Sequence, residues 1–242
     1  MNAEQKGHMH PITQVIREIH AVFGELGFEV ALGPELETEF YNFDALNIPA
    51  DHPSRDMQDT FWLKQPKVQS EKSKVKSERK LLTTQTSAVQ IRYMETHKPP
   101  FKVVVPGKVF RNEATDATHE AQFFQIEGLY VDKEVSLAEL KGTLEHAFKK
   151  LFGTDTEIRF RPSYFPFVEP AVEVDVKWKN KWLEVLGAGM VHPNVFKAAG
   201  VDPTVWKGFA FAFGLDRIVM LKYGIDDIRL LYSGDLRFVH QF

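Results

Sequence analysis

Apolar side chains at positions 12, 15, 16, 19, 22, 23 and 26 recur three and four residues apart. That spacing predicts an amphipathic helix over 11–26, with Pro11 suited to its first turn and Gly27 to its stop. A short strand is expected at 28–32, closed by Gly33-Pro34. Proline cannot donate to a ladder, so this strand belongs at a sheet edge or an interface. Residues 41–57 mix aromatic and turn residues and predict irregular chain. Strands are expected at 61–64 and 81–84, and a helix at 88–97 that Thr86 or Ser87 can cap and Pro99-Pro100 ends.

The stretch 103–131, VVVPGKVFRNEATDATHEAQFFQIEGLYV, reads as strand, polar loop, strand. Residues two apart share a strand face, so Arg111 and Glu113 should point one way on the first arm, and Gln125 and Glu127 on the second. Paired as a hairpin, these four polar groups converge on one face in strongly apolar surroundings. Burial of such groups is costly unless a partner satisfies them. A solvated hairpin with scattered charges is the plainer alternative.

Beyond it, Ser136-Leu-Ala-Glu139 forms a capping box. The helix it opens carries Leu137, Leu140, Leu144, Ala147, Phe148 and Leu151 on one face and stops at Gly153. Residues 157–161 predict a strand, and the two prolines of YFPFVEP, 164–170, predict extended chain. Val172, Val174, Val176 and Trp178 alternate with Glu173, Asp175 and Lys177, and Asn180 turns this strand into the next at 182–186. An apolar strand at 208–213 runs into Gly214 and a helix over 215–223, with a short helix at 226–231. The sum is an α+β chain, an antiparallel sheet flanked by helices.

Composition narrows the classes. A chain of 242 residues is long enough for one full core, and its net charge of −3 argues against a polybasic nucleic-acid binder. Residues 64–80 hold seven basic and two acidic residues and read as a solvated basic surface insertion, with a phosphate-backbone contact as the alternative. The absence of cysteine removes disulfides and thiolate zinc sites. No apolar run approaches transmembrane length, and residues 1–10 read as a flexible leader without the apolar centre of a signal peptide, so no membrane association and a cytoplasmic location are expected.

Several familiar sites are missing. The chain has no GxxxxGK[ST] loop, no HExxH and no GxSxG, and Gly187-Ala-Gly189 is too short for a dinucleotide fingerprint. His97, His146 and His192 read as ordinary surface or core residues. Two arginines remain in special places. Arg111 lies in the central hairpin, and Arg217 lies in the first turn of a helix that follows Gly214. A guanidinium fork suits phosphate, and a helix N-terminus behind a glycine adds room and positive potential for an anion. With Glu169 as a candidate metal ligand the set fits a nucleoside triphosphate. Salt bridges Arg111–Glu113 and Arg217–Asp216 explain the same residues equally well at this level.

The strings VFRNE, FFQIEGLYV, YFPFVEP and GFAFAFGLDR, together with HPITQVIREIHAVFGELGFEV and DMQDTFW, resemble in order and spacing the family of bacterial phenylalanyl-tRNA synthetase α subunits. The likeness runs from about residue 10 to 242. It implies the class II synthetase catalytic fold over 11–242, with the first helix, strand and Pro34 as motif 1, the hairpin as motif 2, and Gly214–Arg217 with its helix as motif 3.

The resemblance also implies roles. Arg111 and Arg217 form the catalytic pair, Arg111 on the α-phosphate and the substrate carboxylate and Arg217 on the γ-phosphate. Glu113 and the loop around His119 hold the adenine end, with Phe124 and Gly214 counted among the ATP-binding residues. Ser87, Gln125 and Glu127 anchor the ammonium and carboxylate of phenylalanine. Phe165 and Phe167 meet its ring and Ala210 forms the pocket floor. Glu169 matches the magnesium ligand described as shared with the β subunit. The implied partners are that β subunit, in a heterotetramer of two α and two β chains, and tRNA(Phe).

There are departures. The family's N-terminal tRNA-binding helical arm is absent from this sequence, and the insertion at 64–80 is longer than usual. Ala212 stands where glycine is common, Thr83 replaces a frequent arginine, Gln85 a histidine and Ala188 a cysteine. The competing reading is a catalytically idle or regulatory paralogue that binds amino acid or RNA without charging tRNA. Such paralogues commonly lose a phosphate-binding arginine, and both remain here. A class II ligase for another amino acid is a third possibility, disfavoured by the paired Phe165 and Phe167.

Overall fold

The computed structural model describes residues 7–55, 59–64 and 79–242. In chain order these form α1 (Pro11–Glu25), β1 (Glu29–Val30), β2 (Leu36–Thr38), α2 (Glu39–Asn42), β3 (Lys80–Leu82), α3 (Ala88–Thr96), β4 (Phe101–Phe110), β5 (Gln122–Asp132), α4 (Leu137–Phe152), β6 (Ile158–Phe165), β7 (Val168–Trp178), β8 (Lys181–Val191), α5 (Pro193–Ala198), β9 (Lys207–Gly214), α6 (Leu215–Tyr223) and α7 (Leu236–Val239). Single 3-10 turns lie at Asp44–Leu46, Pro53–Arg55 and Ile228–Leu231.

Seven strands make one sheet in the order β1-β4-β5-β9-β8-β7-β6, and β2 pairs with β3 separately. The pairs are antiparallel except β1 with β4. The α+β expectation holds, and β1 lies at the sheet edge as Gly33-Pro34 requires. Of residues 41–57, expected to be irregular, the described ones, 41–55, include the end of α2 and two 3-10 turns. At 61–64 a single bridge, Trp62 with Leu81, replaces the expected strand.

Two cores face opposite sides of the sheet. Val15, Ile19 and Phe23 of α1, Leu144 and Phe148 of α4 and Ile218 of α6 pack under one face with Ile126, Phe209, Phe211 and Phe213. The first helix is amphipathic as its periodicity predicts. Leu137, placed on the inner face of α4 by spacing, is instead exposed, because it opens the helix beyond the sheet's cover. On the other face α3, α5 and the 3-10 turn at Asp44–Leu46 cover Val103, Val105, Leu129 and Ala210.

The hairpin arms end earlier than the hydrophobic pattern predicts. β4 stops at Phe110, so Arg111 and Glu113 belong to the connecting loop rather than to a strand face. In β9 the alternation is strict. Phe209, Phe211 and Phe213 point into the helix-side core, while Ala210, Ala212 and Gly214 point to the other side. Phe211 needs space across the ladder, where its partner on β5 is Gly128. A Cβ at Gly128 would come within 2.0 Å of the Phe211 ring. Lys179 and Asn180 both take left-handed backbone, a two-residue hairpin of the primed type between β7 and β8.

The YFPFVEP segment is not simply extended. Phe165 pairs with Val168, so Pro166-Phe167 is a tight turn joining β6 to β7. Of the leader expected at 1–10, residues 1–6 lie outside the described ones. His8 lies 4.8 Å from the His240 ring and bonds to Phe242 O at 3.0 Å, while His10 caps α1 by accepting from the Ile12 N–H. Most of the basic insertion, residues 65–78, also lies outside the described residues.

Gly128→Ala is expected to lower the unfolding free energy by about 1–3 kcal/mol, the usual penalty for overpacking a dense core. Urea denaturation measures this, and Phe211→Leu in the same chain should recover part of the loss.

Candidate active site

The central hairpin, the first turn of α3, the small-residue face of β8 and β9 and the start of α6 enclose a cavity of about 1060 Å3. Arg111, Glu113, His119, Gln125, Glu127, Ser87, Phe165, Phe167, Ala210, Gly214 and Arg217 all line it. Phe124 and Glu169 do not.

Its deep end is organised by Glu127, 1% exposed. Its carboxylate accepts from Thr86 Oγ1 at 3.1 Å, Ser87 Oγ at 2.8 Å and Gln90 Nε2. Gln125, one face-repeat away, accepts from the Thr86 N–H at 3.2 Å. No cation stands within ion-pair distance of Glu127 among the described residues. Burial therefore dominates and lifts the carboxyl to about 7, while the three donors pull in the opposite direction. Ser87, expected as a possible helix cap, makes no cap bond, because its hydroxyl is committed to Glu127. Neutral donors around a carboxylate leave room for a compact cation, and a primary ammonium fits that chemistry.

The shallow end belongs to the arginines. Arg111 continues the ladder with its N–H on Ala121 O at 2.9 Å, which fixes where its side chain leaves the hairpin. Its Nε donates to Thr84 O at 3.4 Å and its guanidinium lies 5.0 Å from the Phe123 ring centroid. Burial draws the guanidinium below its usual value, opposed by the charges of Glu113 and Asp59. It stays cationic nonetheless. Neither salt bridge offered as the plain alternative forms among the described residues. Asp216 is buried and accepts instead from the Phe124 N–H at 2.7 Å and from the Tyr232 hydroxyl. Arg217 stays exposed in the first turn of α6, where the N-terminal backbone adds positive potential. Two arginines are thus left available to an anion.

The loop of the hairpin is ordered around Asp116. It accepts from the N–H groups of Thr118 at 2.7 Å and His119 at 2.8 Å and meets the His119 ring at 3.0 Å. These bonds hold the Asp116 carboxyl well below the usual carboxylate range. The Ile228 N–H ties the loop down through Ala117 O at 2.9 Å.

Beside Glu127, on the side away from Gly214, lies an aromatic slot. Phe165 and Phe167 stack with centroids 5.9 Å apart, and opposite them Gly187, Gly189, Ala210 and Ala212 are paired neighbours on one face. A Cβ at Gly187 would come within 2.9 Å of the Phe165 ring. The floor is small because the wall needs the space. Ala212 adds one methyl to it, beside Glu127 in the register.

One expected residue is corrected by the structure, and another lies apart from the cavity. Phe124 packs on the helix-side core, and Phe123, one position earlier, reaches the cavity. The alternation that puts Gln125 and Glu127 on the cavity face requires this. Glu169 faces outward, its side chain 78% exposed, with His192 Nε2 at 3.6 Å. Among the described residues no three His, Cys, Asp or Glu side chains are grouped to hold a metal. Magnesium demands a near-octahedral set of oxygens, so this chain's residues do not by themselves fit it. Thr86, Gln90, Phe123 and the Gly187/Gly189 floor escaped the sequence reading. The small-large alternation LGAGM facing GFAFAFG was the available signal for the floor.

A folded-state value raised above 4.5 means that Glu127 favours folding while protonated, and that this contribution is lost as pH rises through about 7. Glu127→Gln keeps the neutral shape. It should melt later than the parent at about pH 8, by an amount on the order of 1–3 kcal/mol, and the gap should close near about pH 4.

The family model described as tRNA synthetases class II core domain (F) matches residues 1–242. The phenylalanine–tRNA ligase alpha subunit of Proteus mirabilis (strain HI4320) is 53% identical over 239 residues, 98% of this chain and 69% of that one. That of Bacillus subtilis (strain 168) is 53% identical over 250 residues, with the same coverage. Among solved structures, the pyrrolysyl-tRNA synthetase from Desulfitobacterium hafniense superposes with a TM-score of 0.69 over 93% of this chain and 74% of that one, at 15% identity, a likeness of fold.

Proposed function

The chain belongs to the class II tRNA synthetase core family, among the phenylalanine–tRNA ligase alpha subunits, and on that footing we propose how its cavity activates phenylalanine with ATP for transfer to tRNA(Phe). The observation that carries the reading is the pairing of a buried carboxyl, with no cation beside it among the described residues, at one end with two available arginines at the other. An α-amino acid offers an ammonium to the first, and ATP offers phosphates to the second.

Glu127 takes the ammonium, with Ser87, Gln90 and Gln125 completing the hydrogen bonds around the amino acid. The ligand charge favours the ionised form of Glu127, so binding releases the proton that burial retains near neutrality. Phe165 and Phe167 meet the phenyl ring, where ring quadrupoles favour offset or edge contacts. Ala210 closes the slot. At the other end Phe123 and the loop carrying Glu113 and His119 cover the adenine. Arg111 reaches the α-phosphate and the amino-acid carboxylate together, and Arg217, with Gly214 giving backbone access, holds the γ-phosphate.

The amino-acid carboxylate attacks the α-phosphorus in line, the bond to the pyrophosphate oxygen breaks, and phenylalanyl-adenylate results. Arg111 stabilises the charge that grows on the α-phosphate in a site already arranged for it, and positioning supplies the rest. The terminal ribose hydroxyl of tRNA(Phe) then displaces adenylate.

Magnesium, expected from the resemblance, supplies charge neutralisation when it accompanies ATP. Glu169 is this chain's candidate ligand, and a site there requires oxygens from another chain. Such a chain is proposed to be the β subunit, in an assembly of two α and two β. The exposed apolar side chains of Val30 and Leu32 at the β1 edge, with Leu36 at the start of β2, support a partner surface. A cytoplasmic location suits the activity, and among the described residues no helix is long and apolar enough to cross a membrane.

Phenylalanine-dependent exchange between ATP and pyrophosphate, with the chain alone and co-expressed with a β subunit, tests the activity. Arg111→Ala should cost roughly 3 kcal/mol or more of transition-state stabilisation, and near-normal exchange in that variant overturns its role. Ala210→Gly should admit para-chlorophenylalanine as a substrate. Unchanged discrimination against it would remove Ala210 from the pocket floor.

A further inference from the structure

The aromatic wall stands on the Pro166-Phe167 turn at the far end of the sheet, where β6 has a neighbouring strand on one side only. The group that holds this turn comes from a distant part of the chain. Asn47 Nδ2 donates to Pro166 O at 2.7 Å, and Asn194 Nδ2 donates to Asn47 Oδ1 at 3.0 Å. One residue further, Phe167 O accepts from the His192 N–H at 2.9 Å. Asn47 itself closes the 3-10 turn at Asp44–Leu46 in left-handed backbone, φ 58° and ψ 22°. Asparagine tolerates that conformation far better than most residues.

We propose that Asn47, steadied by Asn194, is a positioning residue for amino-acid selection, locking the turn that carries Phe165 and Phe167 and thereby setting the width of the ring slot. The inference rests on the reading of those two rings as the wall of the phenylalanine pocket. Pro166 is buried, and Asn47 is the hydrogen-bond donor to its carbonyl among the described residues. Without that donor the carbonyl is unsatisfied where it stands, so the turn gains by rotating it toward water. The rings sit on the same turn and rotate with it. On its other side the Phe165 ring lies directly over Gly187, where a Cβ would come within 2.9 Å of it, so any rotation of the turn changes how the ring meets the floor. The slot is therefore bounded by a fixed sheet floor and by a wall whose turn is held from outside the sheet by two hydrogen bonds, of which the Asn47 amide supplies the side-chain one. A close-packed pocket reads changes as small as one methylene, so a modest shift of the wall alters which rings fit.

The test is steady-state exchange kinetics on the chain assembled with its β partner, for Asn47→Asp, Asn47→Gly and Asn194→Ala. Aspartate and glycine both accept the left-handed backbone, and neither donates to Pro166 O. Each should raise KM for phenylalanine by about tenfold while leaving kcat and KM for ATP in place. Each should also narrow the preference for phenylalanine over para-chlorophenylalanine. Asn194→Ala should act in the same direction more weakly. Phe165→Ala and Phe167→Ala run beside them separate the two layers of the reading. If neither ring variant moves KM for phenylalanine, the wall assignment fails and the clamp falls with it. If they move it and Asn47→Asp does not, the clamp alone is overturned. Parallel rises in KM for ATP and phenylalanine, or lost thermal stability with both KM values unmoved, would mark a merely structural role and equally overturn it.

Discussion

Glu127 is a carboxylate held inside the sheet by three neutral donors with no cation beside it among the described residues. Burying an ionisable group in this way is expensive, and the structure around it is arranged to bear the cost. The register of β5 sets Glu127 opposite Val105 on one side and Ala212 on the other. The first turn of α3 gives up a side-chain cap so that the Ser87 hydroxyl can serve the carboxylate. Thr86 divides itself, donating its hydroxyl to Glu127 and its N–H to Gln125. A buried carboxyl with no cation beside it among the described residues is poised for a ligand whose positive charge favours its ionised form.

The same sheet separates two kinds of work. On its helix side, Phe209, Phe211 and Phe213 interlock with α1 and α4, and this packing fixes the strands rigidly. On its other side the intervening residues are reduced to Gly and Ala, so the rigid strands present a smooth floor. Large side chains on one face and small ones on the other are two aspects of one alternation. The cavity walls then come from elements that the sheet does not constrain, namely the loop after β4, the Pro166-Phe167 turn and the segment around Asn47.

That division explains which parts of the site were readable in the sequence. Gln125 and Glu127 lie within β5, where the period of two leaves no freedom, and they face the cavity together as expected. Arg111 and Glu113 were placed on a strand face by the same rule, yet the ladder stops at Phe110 and the loop conformation places them instead. Phe124 was assigned one position too far, although the parity that put Gln125 and Glu127 on the cavity face already assigns Phe123 to it. Glu169 was carried over from a motif and points outward, because the β6–β7 turn at Pro166-Phe167 starts the alternation with Val168 inside. The Leu137 side chain followed helical spacing onto an inner face that is not covered at that end.

By itself the sequence determined the sheet-and-helix architecture, the two arginines and the acid in the hairpin through short-range periodicity and local motifs, while the aromatic pair stood out only through the resemblance to a family. Backbone geometry enforces such patterns wherever the chain goes. Only the tertiary structure decided which groups meet. Asn47 and Pro166 are far apart in the chain, as are Asp216 and the Phe124 N–H, and no local rule predicts their hydrogen bonds. Those partners are selected by the packing of separate elements around a common cavity, where a buried carbonyl or carboxylate must find a donor from whatever segment the fold brings near.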